Sequence, residues 1–156
     1  MTEDSETTLR LERLIPIEPD SLFALWTEPA QLVKWWAPEG YAASVDILDS
    51  KPGGSWRVAM RRADGGELVT SGVYQIVDPP HRLSFTWAWE TASAVRGDET
   101  EVTVTFEATP GGTRLILNQR RFLSKQSRDN HGRGWSGCMD RIATMAVHAV
   151  EGETIP

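Results

Sequence analysis

One stretch limits the possible folds more than any other. Residues 124–150 carry the only long helical pattern in the chain. At about 100° per residue, His131, Trp135, Cys138, Ile142, Met145, Ala146 and Ala149 fall within one arc. Arg133, Asp140, Thr144 and Glu151 fall on the far side, with Val147 as an apolar exception there. Ser124 is placed to cap the N-terminus, and Gly152 follows the last periodic residue as a stop signal. Such a helix is about 40 Å long and must close its apolar arc against a broad partner. Gly132, Gly134 and Gly137 interrupt its first half, each at a cost of about 1 kcal/mol relative to alanine. They mark a close approach of backbone to something, a bend, or a weak first turn.

The rest of the chain supplies the partner. Residues 8–17 read as a strand through Leu9, Leu11, Leu14 and Ile15. Pro19 opens a short helix to about Trp26, and a second runs from Pro29 to Trp36, ending before Pro38. Strands follow at 43–49, 55–62, 67–77, 82–90, 101–108 and 113–121. Glycine- and proline-rich turns separate most of them, Asp64–Gly65–Gly66 being the strongest hairpin signature. A longer polar loop is expected over 91–98. Successive hairpins imply an antiparallel meander that the first strand joins. The architecture is therefore α+β: a curved antiparallel sheet of six to seven strands gripping a long C-terminal helix.

Alternation assigns the buried face. Trp56, Val58 and Met60 share it, as do Leu83, Phe85, Trp87 and Trp89. Val102, Val104 and Phe106 join them, with Leu115, Leu117 and Gln119. In the strand at 67–77, Val73, Gln75 and Val77 are assigned inward and Gly72 and Tyr74 outward. A one-residue change in turn length would reverse that assignment.

Bulk properties exclude several classes. A chain of 156 residues suits one domain, here residues 8–151 between a flexible N-terminus (1–7) and a tail (152–156). The net charge of −6 argues against general nucleic-acid affinity. No run is long and apolar enough for a membrane span, and the acidic start is not a signal peptide. A lone cysteine, Cys138, forms no internal disulfide and suits the cytoplasm. Seven tryptophans need large apolar surfaces to fill or a pocket to wall.

Several motifs carry a family likeness when taken in order: Phe23–Ala24–Leu25–Trp26–Thr27–Glu28–Pro29, Trp35–Trp36–Ala37–Pro38–Glu39–Gly40 and Pro52–Gly53–Gly54–Ser55–Trp56–Arg57. Gly72–Val73–Tyr74, Asp78–Pro79–Pro80–His81–Arg82–Leu83 with Phe85–Thr86–Trp87, Gly111–Gly112–Thr113–Arg114–Leu115 and Gly134–Trp135 continue the series. From about Leu9 to Val150 the chain resembles the bacterial heat-shock ATPase activator homologue (AHSA-like) family of the START-like (SRPBCC) superfamily. The resemblance implies a helix-grip fold with a hydrophobic cavity between sheet and helix. It also implies functions drawn from lipid carriers, hormone receptors, polyketide aromatases and cyclases, and protective proteins. The family name comes from a eukaryotic co-chaperone whose N-terminal domain has no counterpart in these residues, so a chaperone partner is not expected. Family members often place a histidine where this chain has Gln119, and chemistry carried by that histidine does not transfer.

No phosphate loop, metal-spaced His/Cys group or nucleophile elbow is present in the sequence. Only His131 among the three histidines points where a ligand would sit. There it serves as a hydrogen-bonding or general-base group, or as a buried histidine satisfied by Gln119 or a backbone carbonyl; lone inward histidines are usually structural. Cys138 reads as a small hydrophobe. Gln75 and Gln119 either orient a ligand or bond to His131 or water. The expected ligand space lies between Trp135 and the pair Phe85 and Trp87. Its lining is expected to be Trp36, Trp56, Val58, Met60, Val73, Gln75, Phe85, Trp87, Val104, Leu117, Gln119, His131, Trp135, Cys138, Met139 and Ile142. The favoured function is binding of a small hydrophobic or aromatic molecule, without cofactor or metal, by a monomer or homodimer. The alternatives are a cyclase- or dehydratase-like enzyme using His131 and a protein-interaction module.

Overall fold

The computed structural model describes residues 6–90 and 97–154, with 149–154 as helix backbone. Residues 1–5 of the expected flexible start (1–7) and most of the expected loop at 91–98 lie outside the described residues, as do the last two residues of the tail and the side chain of Ala149. Strand β1 (Thr8–Ile15) is followed by helices α1 (Pro19–Thr27) and α2 (Pro29–Trp36). Six strands then run in succession: β2 (Tyr41–Leu48), β3 (Ser55–Arg62), β4 (Glu67–Asp78), β5 (Arg82–Glu90), β6 (Thr100–Thr109) and β7 (Gly112–Arg120). Helix α3 (Lys125–Thr154) closes the chain. The strands form one antiparallel sheet in the order β1-β7-β6-β5-β4-β3-β2. This is the meander expected from the turns, with β1 added beside β7 by pairs such as Leu11 with Leu117.

Local chemistry sets the elements. Proline stands at the start of both short helices, where its missing N–H costs nothing. Helix α1 ends as the Glu28 N–H bonds to the Ala24 carbonyl, and Glu28 then leads directly into α2. Helix α3 begins at the expected cap: the Ser127 N–H donates to Ser124 Oγ across 3.0 Å. It does not stop at Gly152 but continues to Thr154. No helix among the described residues is long and apolar enough to cross a membrane.

The concave face of the sheet holds the core. Trp56, Val58, Leu83, Phe85, Val102, Val104, Phe106, Leu115 and Leu117 are buried there with Trp135, Met139 and Ile142 of α3. Trp26 of α1 and Trp35 and Trp36 of α2 join this core. Each buried indole removes roughly 150–250 Å² from water, about 4–6 kcal/mol before the entropy of ordering is set against it.

Strand β4 reverses its expected face. Tyr74 is 4% exposed and Val73 40%, and Gln75 is exposed as well, so Val73 and Gln75 point away from the core. The cause is the Trp56 indole, which crosses β4 to donate Nε1–H to the Thr86 carbonyl of β5 at 3.2 Å. Gly72 sits beneath it; a Cβ there would lie 1.8 Å from the Thr86 oxygen and 2.7 Å from the indole nitrogen. The inward position at residue 72 is thus empty of side chain, which the alternation pattern registers as a gap. A register shift between Tyr74 and Ile76 then returns Val77 to the core side, as expected.

Candidate functional site

Helix α3 is tied to β1 and to α2. Arg13 of β1 donates to Ser136 Oγ (2.9 Å) and lies 3.8 Å from Asp140. Arg141 donates Nε–H to the Trp35 carbonyl of α2 at 2.9 Å, and the Cys138 thiol lies 3.5 Å from the Trp36 carbonyl. Beside the tie to α2 the helix stands away from strands β3–β5 and leaves an open cleft of about 470 Å³. Trp36, Pro38, Tyr41, Met60, Leu68, Trp87 and Trp89 form one wall. The helix supplies Asn130, His131, Arg133, Gly134, Trp135, Gly137, Cys138 and Arg141.

The cleft stops at a packed aromatic floor. Trp87 and Trp135 have ring centroids 5.1 Å apart, Trp36 and Trp87 5.5 Å, and Trp26 stacks on Trp135 at 5.9 Å. Phe85 packs on Trp56 and Tyr74, behind that floor. The residual void beside Trp56, Phe85 and Leu83 is about 10 Å³, at the lower limit for holding one water. Trp135 therefore touches Trp87 directly, and the free space lies beside the pair rather than between Trp135 and Phe85.

A buried polar chain fixes this floor. Trp135 Nε1–H donates to Gln119 Oε1 (2.7 Å), and Gln119 Nε2–H donates to Thr100 Oγ1 (2.8 Å). The Thr100 hydroxyl donates in turn to the Trp87 carbonyl at 3.3 Å. Gln119 is wholly buried with both ends of its amide engaged, as a buried amide requires. It orients an indole of the cleft without facing the cleft itself.

His131 is likewise engaged at both nitrogens. Nδ1 lies 2.8 Å from the Ser127 carbonyl, and Trp89 Nε1 lies 2.9 Å from Nε2. A carbonyl only accepts and an indole N–H only donates, so the ring is neutral with its proton on Nδ1. Burial pushes its pKa below the ordinary value, partly offset by the Ser127 bond. The lone pair a general base would use is occupied by Trp89. Of the two readings of His131, the geometry matches the satisfied histidine: the Ser127 carbonyl is the expected backbone partner, and Trp89 rather than Gln119 takes the other nitrogen.

Cys138 is buried, and its thiol is pushed up to about 11 by desolvation despite the Arg141 guanidinium 3.5 Å away. The Trp87 indole N–H is buried with no acceptor among the described residues. No three His, Cys, Asp or Glu side chains among the described residues gather as a metal-holding group.

Of the residues expected to line the ligand space, Trp36, Met60, Trp87, His131, Trp135 and Cys138 border the cleft. Trp56, Val58, Phe85, Val104, Leu117, Gln119, Met139 and Ile142 lie in the solid core behind it, and Val73 and Gln75 face outward. Tyr41, Leu68, Gly134, Arg133 and Arg141 were not expected. A signal for part of this set is in the sequence: Asn130, Gly134, Gly137 and Arg141 recur at helical spacing, one position before His131, Trp135, Cys138 and Ile142. The second stripe enters the core, and the first is the wall of the cleft. A separate groove of about 540 Å³ lies around Pro16–Asp20, Pro80, His81 and the β6–β7 turn. It shares no residue with the cleft.

The model of the family described as Activator of Hsp90 ATPase homolog 1-like protein matches residues 16–146. The fold is similar to the crystal structure of an AHSA1 protein from Silicibacter pomeroyi, at 34% identity and a TM-score of 0.81, over 92% of this chain and 99% of that one. A protein from Chromobacterium violaceum superposes with a TM-score of 0.82 at 23% identity, over 90% of this chain and 96% of that one. An AHSA1-like protein from Aeromonas hydrophila gives 0.76 at 25% identity, over 92% and 94%. No curated protein sequence matches the chain. With the helix-grip architecture and a family match over most of its length, the chain belongs to the Activator of Hsp90 ATPase homolog 1-like family within the START-like fold.

Proposed function

We propose that the protein binds a small apolar molecule with an aromatic body in the cleft between α3 and strands β3–β5. The observation that carries this reading is the helix wall at Gly134. A Cβ placed there meets nothing within 4 Å. Leaving glycine in a helix interior costs about 1 kcal/mol relative to alanine, and neither backbone conformation nor tight packing asks for it at this position. What the glycine preserves is open volume in the cleft. That volume, about 470 Å³, falls in the usual range for small-molecule sites, and its walls are mainly aromatic and aliphatic. Flat rings are suited to a slot bounded by Trp87, Trp89 and Trp135. Because His131 is held neutral and its free lone pair is used, the reading is binding without turnover, in the reducing cytoplasm that suits an unpaired thiol.

The test is a titration with the neutral probe N-phenyl-1-naphthylamine, followed by tryptophan quenching. Saturable binding is expected, together with its loss in Gly134→Trp, where the new indole occupies the cleft. Absence of binding by the wild-type protein to this probe and to a panel of neutral aromatics and lipids would overturn the reading.

A further inference from the structure

The charge at the cleft is opposite to that of the molecule. The chain has a net charge of −6, with 22 acidic residues. Yet no Asp or Glu stands among the residues lining the cleft, and two arginines do, Arg133 and Arg141. These two differ from most of the arginines among the described residues. Arg10, Arg13, Arg57, Arg61, Arg62, Arg114, Arg120, Arg121 and Arg128 each lie beside a carboxylate. Arg133 and Arg141 have no carboxylate partner among the described residues; Arg82, at the start of β5 and away from the cleft, is the other such case.

Their existing bonds leave donors free. Arg133 donates from Nη2 to the Asn130 side chain and is otherwise exposed. Arg141 donates Nε–H to the Trp35 carbonyl, which anchors the guanidinium, and directs Nη2 to the Cys138 sulfur, a weak acceptor. A guanidinium has five N–H donors in a rigid fork that matches a carboxylate. Both arginines stand on α3, separated by two turns, along the same helical wall as Gly134 and Gly137.

Building on the binding reading, we infer that the ligand is an amphiphilic monoanion: an aromatic body lies on the Trp87–Trp135 floor, and a carboxylate is received at the mouth by Arg141, with Arg133 adding to the local positive field. A half-buried, anchored guanidinium recognises a carboxylate by charge-assisted hydrogen bonds rather than by field alone, whereas the exposed Arg133 acts mainly through screened attraction.

The experiment compares 2-naphthylacetic acid with 2-naphthylacetamide at neutral pH, by calorimetry and tryptophan quenching. The two share an aromatic body and differ in charge. Tighter binding of the acid by about tenfold is expected, falling with added salt. Arg141→Met should erase the preference and leave amide binding in place, Arg141→Lys should keep part of it, and Arg133→Gln should reduce it a few-fold. Arg133→Gln, at an exposed position, keeps the test decisive if Arg141→Met fails to fold. Equal affinity for acid and amide overturns this inference and leaves the binding reading standing. A preference for the acid that stays undiminished in both Arg133→Gln and Arg141→Met, or in both Arg133→Gln and Arg141→Lys where Arg141→Met does not fold, overturns the assignment to these arginines. Binding of neither compound, nor of the neutral naphthylamine, removes both proposals.

Discussion

The indole nitrogen of Trp135 donates to Gln119 Oε1 across 2.7 Å, joining the central helix to the strand beside β1 through two residues closed to water. That bond is what holds the floor of the cleft in one orientation. Trp135 is free to pack on Trp26, Trp36 and Trp87 only because its polar edge has somewhere to go.

Gln119→Leu therefore leaves a buried indole N–H without an acceptor and Thr100 without its amide donor. Stability is expected to fall by about 2–3 kcal/mol, measured by urea unfolding at neutral pH. In the double variant Gln119→Leu with Trp135→Phe, the orphaned donor is gone, so the combined loss should be smaller than the sum of the single losses. Strict additivity would show that the two side chains are not coupled.

His131 sets a pH dependence with a definite sign. Its folded pKa lies below the ordinary 6.5 because burial disfavours the imidazolium. Above pH 6.5 both folded and unfolded chains hold it neutral. As pH falls through 6.5, the unfolded chain takes up a proton that the folded ring refuses, so stability declines. The carboxylates Glu12 and Glu101 act in the same direction at lower pH, since arginines hold their pKa values below 4.5. Stability between pH 7.5 and 5.5 should accordingly slope downward in the wild type and be nearly flat in His131→Phe. An unchanged slope in the variant would place its origin elsewhere.

How much of this was legible in the sequence follows from the range of the forces involved. The order of elements was readable because turns and caps are local: Pro19, Pro29, Asp64–Gly65–Gly66 and Ser124 act within a few residues of themselves. The face of β4 was not, because Gly72 is empty for the sake of Trp56, a residue of the neighbouring strand. The bulge after Tyr74 then hides the change of parity. The core was legible as a set of indoles, but their mutual distances were not. Whether Trp87 and Trp135 touch or stand apart is a difference of a few ångströms that alternation does not encode. The cleft wall was present as the stripe Asn130, Gly134, Gly137 and Arg141, masked by reading its glycines as a cost rather than as space.

Two glycines should answer to alanine with opposite signs. At Gly72 the added methyl collides with the backbone oxygen of Thr86 and with the Trp56 ring, neither of which can withdraw without breaking the sheet. Gly72→Ala should cost about 3 kcal/mol or more. At Gly134 the methyl enters open space on a helix, and Gly134→Ala should stabilise by about 1 kcal/mol. Thermal melts of the two variants against wild type provide the comparison. A destabilised Gly134→Ala would mean that the helix wall is closed.

The Cys138 thiol provides a probe of the cleft that needs no substitution. It is 8% exposed, and burial pushes its pKa up to about 11 against the opposing pull of Arg141. At pH 8 about one thiol in a thousand is then ionised, compared with about a quarter for an unperturbed cysteine. Reaction with a disulfide reagent at pH 8 is therefore expected to be slower than that of free cysteine by about a hundredfold or more. It should accelerate roughly tenfold per pH unit until the thiol's own pKa is approached. Because Cys138 borders the cleft, a bound aromatic should slow it further, in proportion to occupancy. Labelling at the rate of a free thiol would mean that the helix departs readily from α2 and that the packed floor is not the resting state.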